Sequence, residues 1–302
     1  MGKVILFYKY IAITYPKQIQ KWQEKLCKEL GLTGRVLIAT EGINATLGGS
    51  DAMIDKYKQL MNEHELFGGI DFKESIGGSD CFVRLSIKVK DEIVRLSKDV
   101  IQVNARNGGA HLTPEQVHAL LQSGNKDLLV LDARNNYESA IGRFENAVTP
   151  DIKTFRQFPD YVDHNLDQFK DKTVLMYCTG GIRCERASAY LKLKGVAKEV
   201  LQLEGGICRY VEKYPDGFFK GKNYIFDGRI AVPVNDQVLG TCFVCKASCD
   251  QYTNCLNAQC NRHCIVCLDC IKDLSNCCSH ECQALVAHAK VVKRTPLRVV
   301  SL

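Results

Sequence analysis

Short apolar runs and amphipathic stretches take turns along the first third of the chain. Val4–Lys9 predicts a strand. Pro16–Leu30 predicts a helix, with proline in its first turn and Gly31 just past its end. Arg35–Thr40 and Asn44–Leu47 predict two strands around Glu41-Gly42-Ile43. Ser50 caps a second helix, whose Met53, Ile54, Tyr57, Leu60 and Met61 form one apolar face. Ile70–Glu74 and Phe82–Val89 predict further strands. After Asn107-Gly108-Gly109-Ala110, which reads as a linker, Thr113-Pro114-Glu115-Gln116 is a helix start with a capping box. Apolar strands then follow at Leu128–Leu131, Thr173–Tyr177 and Val200–Leu203. A helix after the second of these carries Ala187, Tyr190 and Leu191 on one face and ends at Gly195. No internal repeat is visible.

The order βαββαβ over residues 1–105 is a split-βαβ arrangement, so an α+β domain of ferredoxin- or acylphosphatase-like type is expected there. Alternating strands and helices over 106–222 predict an α/β domain with a doubly wound parallel sheet. In such sheets, sites lie beyond the carboxyl ends of strands. Asp132, Arg134, Cys178 and Gly205-Gly206 all follow strand ends and are expected to meet on one rim. Residues 223–302 change character. Eleven of the sixteen cysteines fall between Cys242 and Cys282, with few periodic apolar positions among them. The tail from Val291 to Leu302, basic through Lys293, Arg294 and Arg298, is expected to be loosely held.

Composition narrows the class. The 302 residues leave room for two or three domains, and 46% hydrophobic content supports a packed core. No apolar run is long enough to span a membrane, and the N-terminus lacks the features of a signal peptide. Sixteen cysteines without secretory features point to metal or catalytic use in a reducing, cytoplasmic setting. The net charge of +6 is diffuse and says little about nucleic acid.

The chemistry concentrates at Cys178-Thr179-Gly180-Gly181-Ile182-Arg183, followed by Cys184. Here a strand stops, a glycine-rich loop turns and a helix begins. Backbone N–H groups of such a loop can converge on one atom, and the helix start adds roughly half a positive charge. A thiol there should titrate in the ~3.5–7.5 range rather than near ~8.5. A phosphate cradle needs one more residue between cysteine and arginine, so this smaller loop suits a single sulfur. Cys178 is accordingly expected to face an opening wide enough for its substrate. Glu41 and Asn44 are polar groups at a strand edge, weighed equally as functional residues and as a plain hairpin turn.

The cysteine-rich end offers four spaced pairs: Cys242 with Cys245, Cys255 with Cys260, Cys267 with Cys270, and Cys278 with Cys282. Eight thiolates are enough for two structural zinc sites. Which pair joins which is open, and an interleaved first-with-third scheme is one arrangement. Cys249, Cys264 and Cys277 are surplus, and iron–sulfur is the minor alternative.

The loop Cys178–Arg183, the upstream Asp132-Ala133-Arg134 and the downstream Leu203-Glu204-Gly205-Gly206 resemble a rhodanese domain. With Glu41-Gly42-Ile43-Asn44-Ala45-Thr46, Phe226-Asp227-Gly228-Arg229 and the cysteine-rich end, the chain from about residue 3 to 282 resembles the bacterial oxygen-dependent tRNA uridine hydroxylases. That resemblance implies conversion of the wobble uridine to 5-hydroxyuridine, with molecular oxygen as co-substrate and tRNA as partner through its anticodon arm. It implies Cys178 as the essential cysteine, a thiolate or persulfide carrier, with the Thr179–Arg183 backbone and the Arg183 side chain stabilising the anion. Cys184 would be a resolving thiol or a packing thiol. Arg134 would organise the rim or pair with Asp132. No flavin or nicotinamide fingerprint appears. Candidate RNA contacts are Lys88, Lys90, Arg95, Lys153, Arg156 and Arg229. Two competing functions stay open: a sulfurtransferase carrying sulfane sulfur, and a zinc-bearing adaptor without activity.

Overall fold

The computed structural model describes residues 2–96, 103 and 105–294; residues 295–302, including Arg298 of the basic tail, lie outside them. The front unit runs β1 (Gly2–Tyr10), α1 (Pro16–Glu29), β2 (Thr33–Ala39), β3 (Gly42–Ser50), α2 (Asp51–Glu63), β4 (Lys73–Ile76) and β5 (Leu85–Val89). Its sheet has the order β4-β1-β3-β2-β5. The first four strands are antiparallel, and β5 joins the outer edge parallel to β2. Both helices cover one face. Ile5 and Phe7 of β1 enter that core with Ile54, Tyr57 and Met61. By the two-residue period of a strand, Leu6 and Tyr8 face the opposite side. β4 starts three residues later than its apolar run, because Ile70 and Phe72 are buried before the ladder begins. β5 begins three residues later than its expected start at Phe82, because the chain is still bending over 82–84 as it leaves the turn at Ser79–Cys81.

The central unit runs β6 (Ala110–Leu112), α3 (Pro114–Gln122), β7 (Leu128–Asp132), α4 (Asn136–Ser139), β8 (Gly142–Phe144), α5 (Phe158–His164), α6 (Leu166–Phe169), β9 (Thr173–Tyr177), α7 (Ile182–Lys194), β10 (Glu199–Leu203) and α8 (Gly206–Lys213). Its parallel sheet has the order β6-β10-β9-β7. β9 shows why its sequence is apolar throughout. Val174 and Met176 pack with Phe158, Val162, Ala187 and Leu191, while Leu175 and Tyr177 pack with Val117, Ile207 and Tyr210. A strand buried on both faces needs no polar alternation.

β8 leaves that sheet and pairs with β11 (Phe219–Tyr224), which also pairs with β12 (Ala231–Pro233). The cysteine-rich end holds β13 (Tyr252–Asn254), β14 (His263–Ile265), α9 (Leu268–Asp273) and α10 (His280–Ala287). The start of the tail is not loose. Ala258 N–H bonds the Val292 carbonyl and Arg294 N–H bonds the Leu256 carbonyl, so the chain returns to the module before leaving it. Among the described residues, no helix is long and apolar enough to cross a membrane.

Arg229 is not an RNA contact. It is 5% exposed, and its Nε donates to Asp227 Oδ1 at 2.9 Å. Its Nη1 donates to Ser75 Oγ at 2.9 Å and to the Ile76 carbonyl on the front sheet. The side chain therefore fastens β4 to the segment after β11. Removing one member of a buried ion pair typically costs about 3–5 kcal/mol. Arg229→Ala should lower stability by that amount in denaturant unfolding. A loss under about 0.5 kcal/mol, the size of a surface change, would show that Arg229 fastens nothing.

Candidate active site

Gly181, at φ +102°, turns the chain between β9 and α7. A residue with a side chain is strained there. The turn brings Gly181 N–H to 3.2 Å from Cys178 Sγ, and the N–H groups of Arg183 and Cys184 point at the same sulfur. Burial alone would raise the Cys178 thiol. The Cys184 S–H, the Arg183 charge and those two amides outweigh it and bring it down to about 5. Burial and the neighbouring Cys178 sulfur push Cys184 the other way, well above an ordinary thiol. The two thiols are thus pushed apart, with Cys178 the more acidic of the pair.

The Arg183 side chain, unlike its backbone N–H, does not donate to the sulfur. Its two terminal nitrogens donate to Glu138 at 2.6 and 2.7 Å, and Nη2 also reaches Thr179 Oγ1 at 3.2 Å. It acts on Cys178 through its field, held in place by a buried carboxylate 45 residues earlier. Glu138 is absent from the sequence reading. Its only local signal was Asn135-x-x-Glu138, a helix-start pattern; Asn135 N–H does donate to Glu138 Oε2, at 3.1 Å.

The rim is smaller than expected. Asp132 and Arg134 are both fully buried and paired with one another. Arg134 Nε donates to Asp132 Oδ1 at 2.9 Å, its Nη2 to the Gly142 carbonyl at 2.6 Å, and Tyr177 OH to Asp132 Oδ2 at 2.8 Å. They brace β7 against β8 beneath the loop. Gly205-Gly206 does meet it. Ile207 N–H donates to the Cys178 carbonyl at 2.9 Å and Cys208 N–H to the Thr179 carbonyl at 3.1 Å. A side-chain carbon on Gly206 would sit 2.5 Å from the Cys178 carbonyl, so only glycine permits this approach.

Nor does Cys178 face an opening: it has no exposed surface. The outer face of β1 lies across the loop. A carbon added at Gly180 would come within 2.7 Å of Leu6 Cδ2, and one at Gly181 within 2.8 Å of the Tyr8 hydroxyl. Tyr8 OH donates to Glu185 Oε1 at 2.9 Å, which also lies 3.0 Å from His111 Nε2. Glu41 and Asn44 belong to this seam. Glu41 accepts from Ile93 N–H at 2.8 Å and pairs with Arg186 at 3.2 Å, while Asn44 Nδ2 donates to the Ile93 carbonyl at 2.9 Å. Glu92 also pairs with Arg186, at 2.8 Å. None of these bonds reaches the sulfur. Lys88, Lys90, Arg95, Lys153 and Arg156 are exposed.

Two groups of four sulfurs form at the other end. Cys242, Cys245, Cys267 and Cys270 make one, and Cys255, Cys260, Cys278 and Cys282 the other, each with its sulfurs within 4.8 Å of one another. The pairs are thus interleaved, first with third and second with fourth. Metal–sulfur bonds of ~2.3 Å in a tetrahedron give edges of about 3.8 Å. The separations Cys245–Cys267, Cys260–Cys278 and Cys278–Cys282 are 3.7, 3.6 and 3.9 Å. The donor set therefore fits a tetrahedral thiophilic ion. Cys249, Cys264 and Cys277 stand outside both groups.

A family model described as a UPF0176 acylphosphatase-like domain matches residues 2–93, a rhodanese-like domain matches 113–213, and a rhodanese C-terminal model matches 220–283. A tRNA uridine(34) hydroxylase of Corynebacterium urealyticum is 42% identical over 289 residues, covering 93% of this chain and 97% of the relative. Another, from Cytophaga hutchinsonii, is 39% identical and covers 93% and 89%. The chain belongs to the tRNA uridine(34) hydroxylase family. A solved rhodanese-like domain protein from Staphylococcus aureus is 24% identical, with a TM-score of 0.28, over 33% of this chain and 90% of that one.

In this family member the pKa of Cys178 is lowered on folding, so its thiolate adds stability above the unfolded value of ~8.5, and that contribution is lost as pH falls through about 5. The ultraviolet thiolate absorbance of the native protein minus that of Cys178→Ser should disappear with a midpoint near pH 5. A midpoint near ~8.5, that of a free cysteine, would show that the loop does not hold an anion.

Proposed function

We propose that this chain is a monooxygenase-type oxidoreductase that hydroxylates C5 of the wobble uridine of tRNA, with Cys178 as the working group. The observation that carries the reading is a buried thiolate at the loop of a chain related over nearly its whole length to proteins named for that activity. Molecular oxygen is the co-substrate. Overall, C5–H, O₂, two electrons and two protons give C5–OH and water, with the electrons from a thiol-class reductant. Uracil C5 is unreactive as it stands. Addition of the Cys178 thiolate to C6 moves electron density through C5 to the O4 carbonyl, and C5 then takes one oxygen atom. Loss of the C5 proton and expulsion of the sulfur restore the double bond and the thiolate. Cys178 carrying a persulfide that takes part in oxygen activation is the other form of the same proposal. Either form requires Leu6 and Tyr8 to lift from the loop.

Three units, 1–105, 106–222 and 223–302, would share the work in the cytoplasm. Exposed Lys88, Lys90, Arg95, Lys153 and Arg156 supply phosphate contacts for the anticodon arm. Each four-sulfur group holds one structural zinc ion, because four thiolates leave no open position.

Nucleoside mass spectrometry of tRNA from a deletion strain should regain 5-hydroxyuridine derivatives with the wild-type gene and not with Cys178→Ser. Loss of thiolated nucleosides alone would mean sulfur transfer, and intact modification on both counts would mean an adaptor. Metal analysis should find two zinc ions per chain and about half as much in Cys270→Ser. No zinc, or iron in its place, would overturn the assignment.

A further inference from the structure

A cavity of about 290 Å³ lies against the active loop. Its wall combines Leu6 of the front sheet, Thr179 of the loop, Cys208 of α8, Asn223 of β11 and Phe226 beyond it. The size sits just below the ~300–1,000 Å³ typical of small-molecule sites, the scale of one nucleoside. Thr179 adjoins Cys178 in the chain, and Leu6 belongs both to this wall and to the cover over Gly180. An occupant would press on the residue that screens the loop.

The polar groups on the wall are nearly all committed. Thr179 Oγ1 lies between Glu138 and Arg183, Ser75 accepts from Arg229, Lys73 pairs with Asp71, and Asp227 pairs with Arg229. Asn223 differs. It is 5% exposed, its Oδ1 is buried with no hydrogen-bond partner, and its Nδ2 has only a 3.7 Å contact with Cys208 Sγ. A buried amide oxygen without a partner is destabilising and calls for a missing donor. Phe226, 47% exposed, offers a ring face beside it, with the Arg183 guanidinium 5.8 Å from its centroid.

We propose that this cavity receives the target pyrimidine, taken out of the anticodon stack, and that Asn223 reads its Watson–Crick edge. Asn223 Oδ1 accepts from uracil N3–H, and Nδ2 donates to the adjacent carbonyl. Phe226 packs on the ring. Bases withdrawn for chemistry are generally read in this way, by edge hydrogen bonds and aromatic or apolar walls. Asn223 is thus a specificity-determining residue, separate from the sulfur chemistry. The inference rests on the hydroxylase reading above.

The test uses the full-length protein and anticodon stem-loop transcripts carrying U34 or C34. Asn223→Leu keeps the size but removes both polar groups, and Asn223→Asp removes the donor. Each should lower kcat/KM on the U34 transcript about 10- to 100-fold and narrow the preference for U34 over C34, with the Cys178 thiolate titration unchanged. Val211→Trp, which fills the cavity from α8, should raise KM with little change in kcat, and it serves if the Asn223 variants do not fold. If the folded variants match the wild type on both transcripts, the pocket assignment is wrong while the hydroxylase reading stands. If the wild type itself does not hydroxylate the U34 transcript, that reading falls instead.

Discussion

An anion buried away from water is costly unless fixed dipoles and charges replace the solvent. At Cys178 the replacement comes from one short segment of backbone. The Gly181, Arg183 and Cys184 amides, the Cys184 thiol and the Arg183 charge all act on one sulfur, because a single positive-φ glycine lets β9 turn straight into α7. The rest of the central unit serves that turn. The double-sided core fixes the end of β9, the Gly205-Gly206 pair clamps the loop carbonyls, and Glu138 holds both arms of Arg183. Glu138 also limits what Arg183 can do, since a guanidinium already paired screens the thiolate without neutralising it.

The front unit takes a second role from the same geometry. A split-βαβ sheet with helices on one face leaves its other face unpartnered, and here that face is laid over the loop. The cover has to be shallow. Gly180 and Gly181 carry no side chain, so Leu6 and Tyr8 can come down onto the backbone itself. Burial of the thiolate is therefore a property of two units together, and the seam between them is polar. Tyr8–Glu185, Arg186–Glu41, Arg186–Glu92 and Arg209–Asp71 cross it. Interfaces of that composition within one chain commonly permit relative movement.

What could be read from sequence was local. Strand, glycine loop and helix start are consecutive, so the Cys178 socket was legible, as were the four spaced cysteine pairs that the structure gathers into two groups. Interleaving was not, since spacing alone allows other pairings. Glu138, Leu6 and Tyr8 were missed because ordinary residue types carry no mark of a distant partner; Tyr8 and Glu185 are 177 positions apart. The error over Arg229 is more instructive. Asp132-x-Arg134 and Asp227-x-Arg229 fold alike: in each, the arginine N–H and Nε both donate to Oδ1 of the aspartate two residues before, at 3.0 and 2.9 Å. The spacing Asp-x-Arg is a short-range ion-pair motif; pairing with Asp132 was one of the two readings of Arg134, and extending it to Asp227-x-Arg229 would have removed Arg229 from the RNA contacts.

The same logic explains why a module with two four-sulfur groups adjoins the catalytic loop. Tyr252 of β13 donates its hydroxyl to the carbonyl of Tyr137, the residue before Glu138. His263 of β14 stacks on Tyr252 at 4.4 Å and lies 3.2 Å from the Tyr224 hydroxyl. β13 and β14 are three-residue strands, too short to hold a shape alone in water. The two interleaved four-cysteine groups lie to either side of them in the chain, and the proposed zinc ions would supply the rigidity they lack. A chain of contacts then runs from the cysteine clusters through Tyr252 and Tyr137 to Glu138, then to Arg183 and the sulfur. The cysteine-rich end thus positions, at several removes, the carboxylate that sets where the Arg183 cation beside the sulfur can stand.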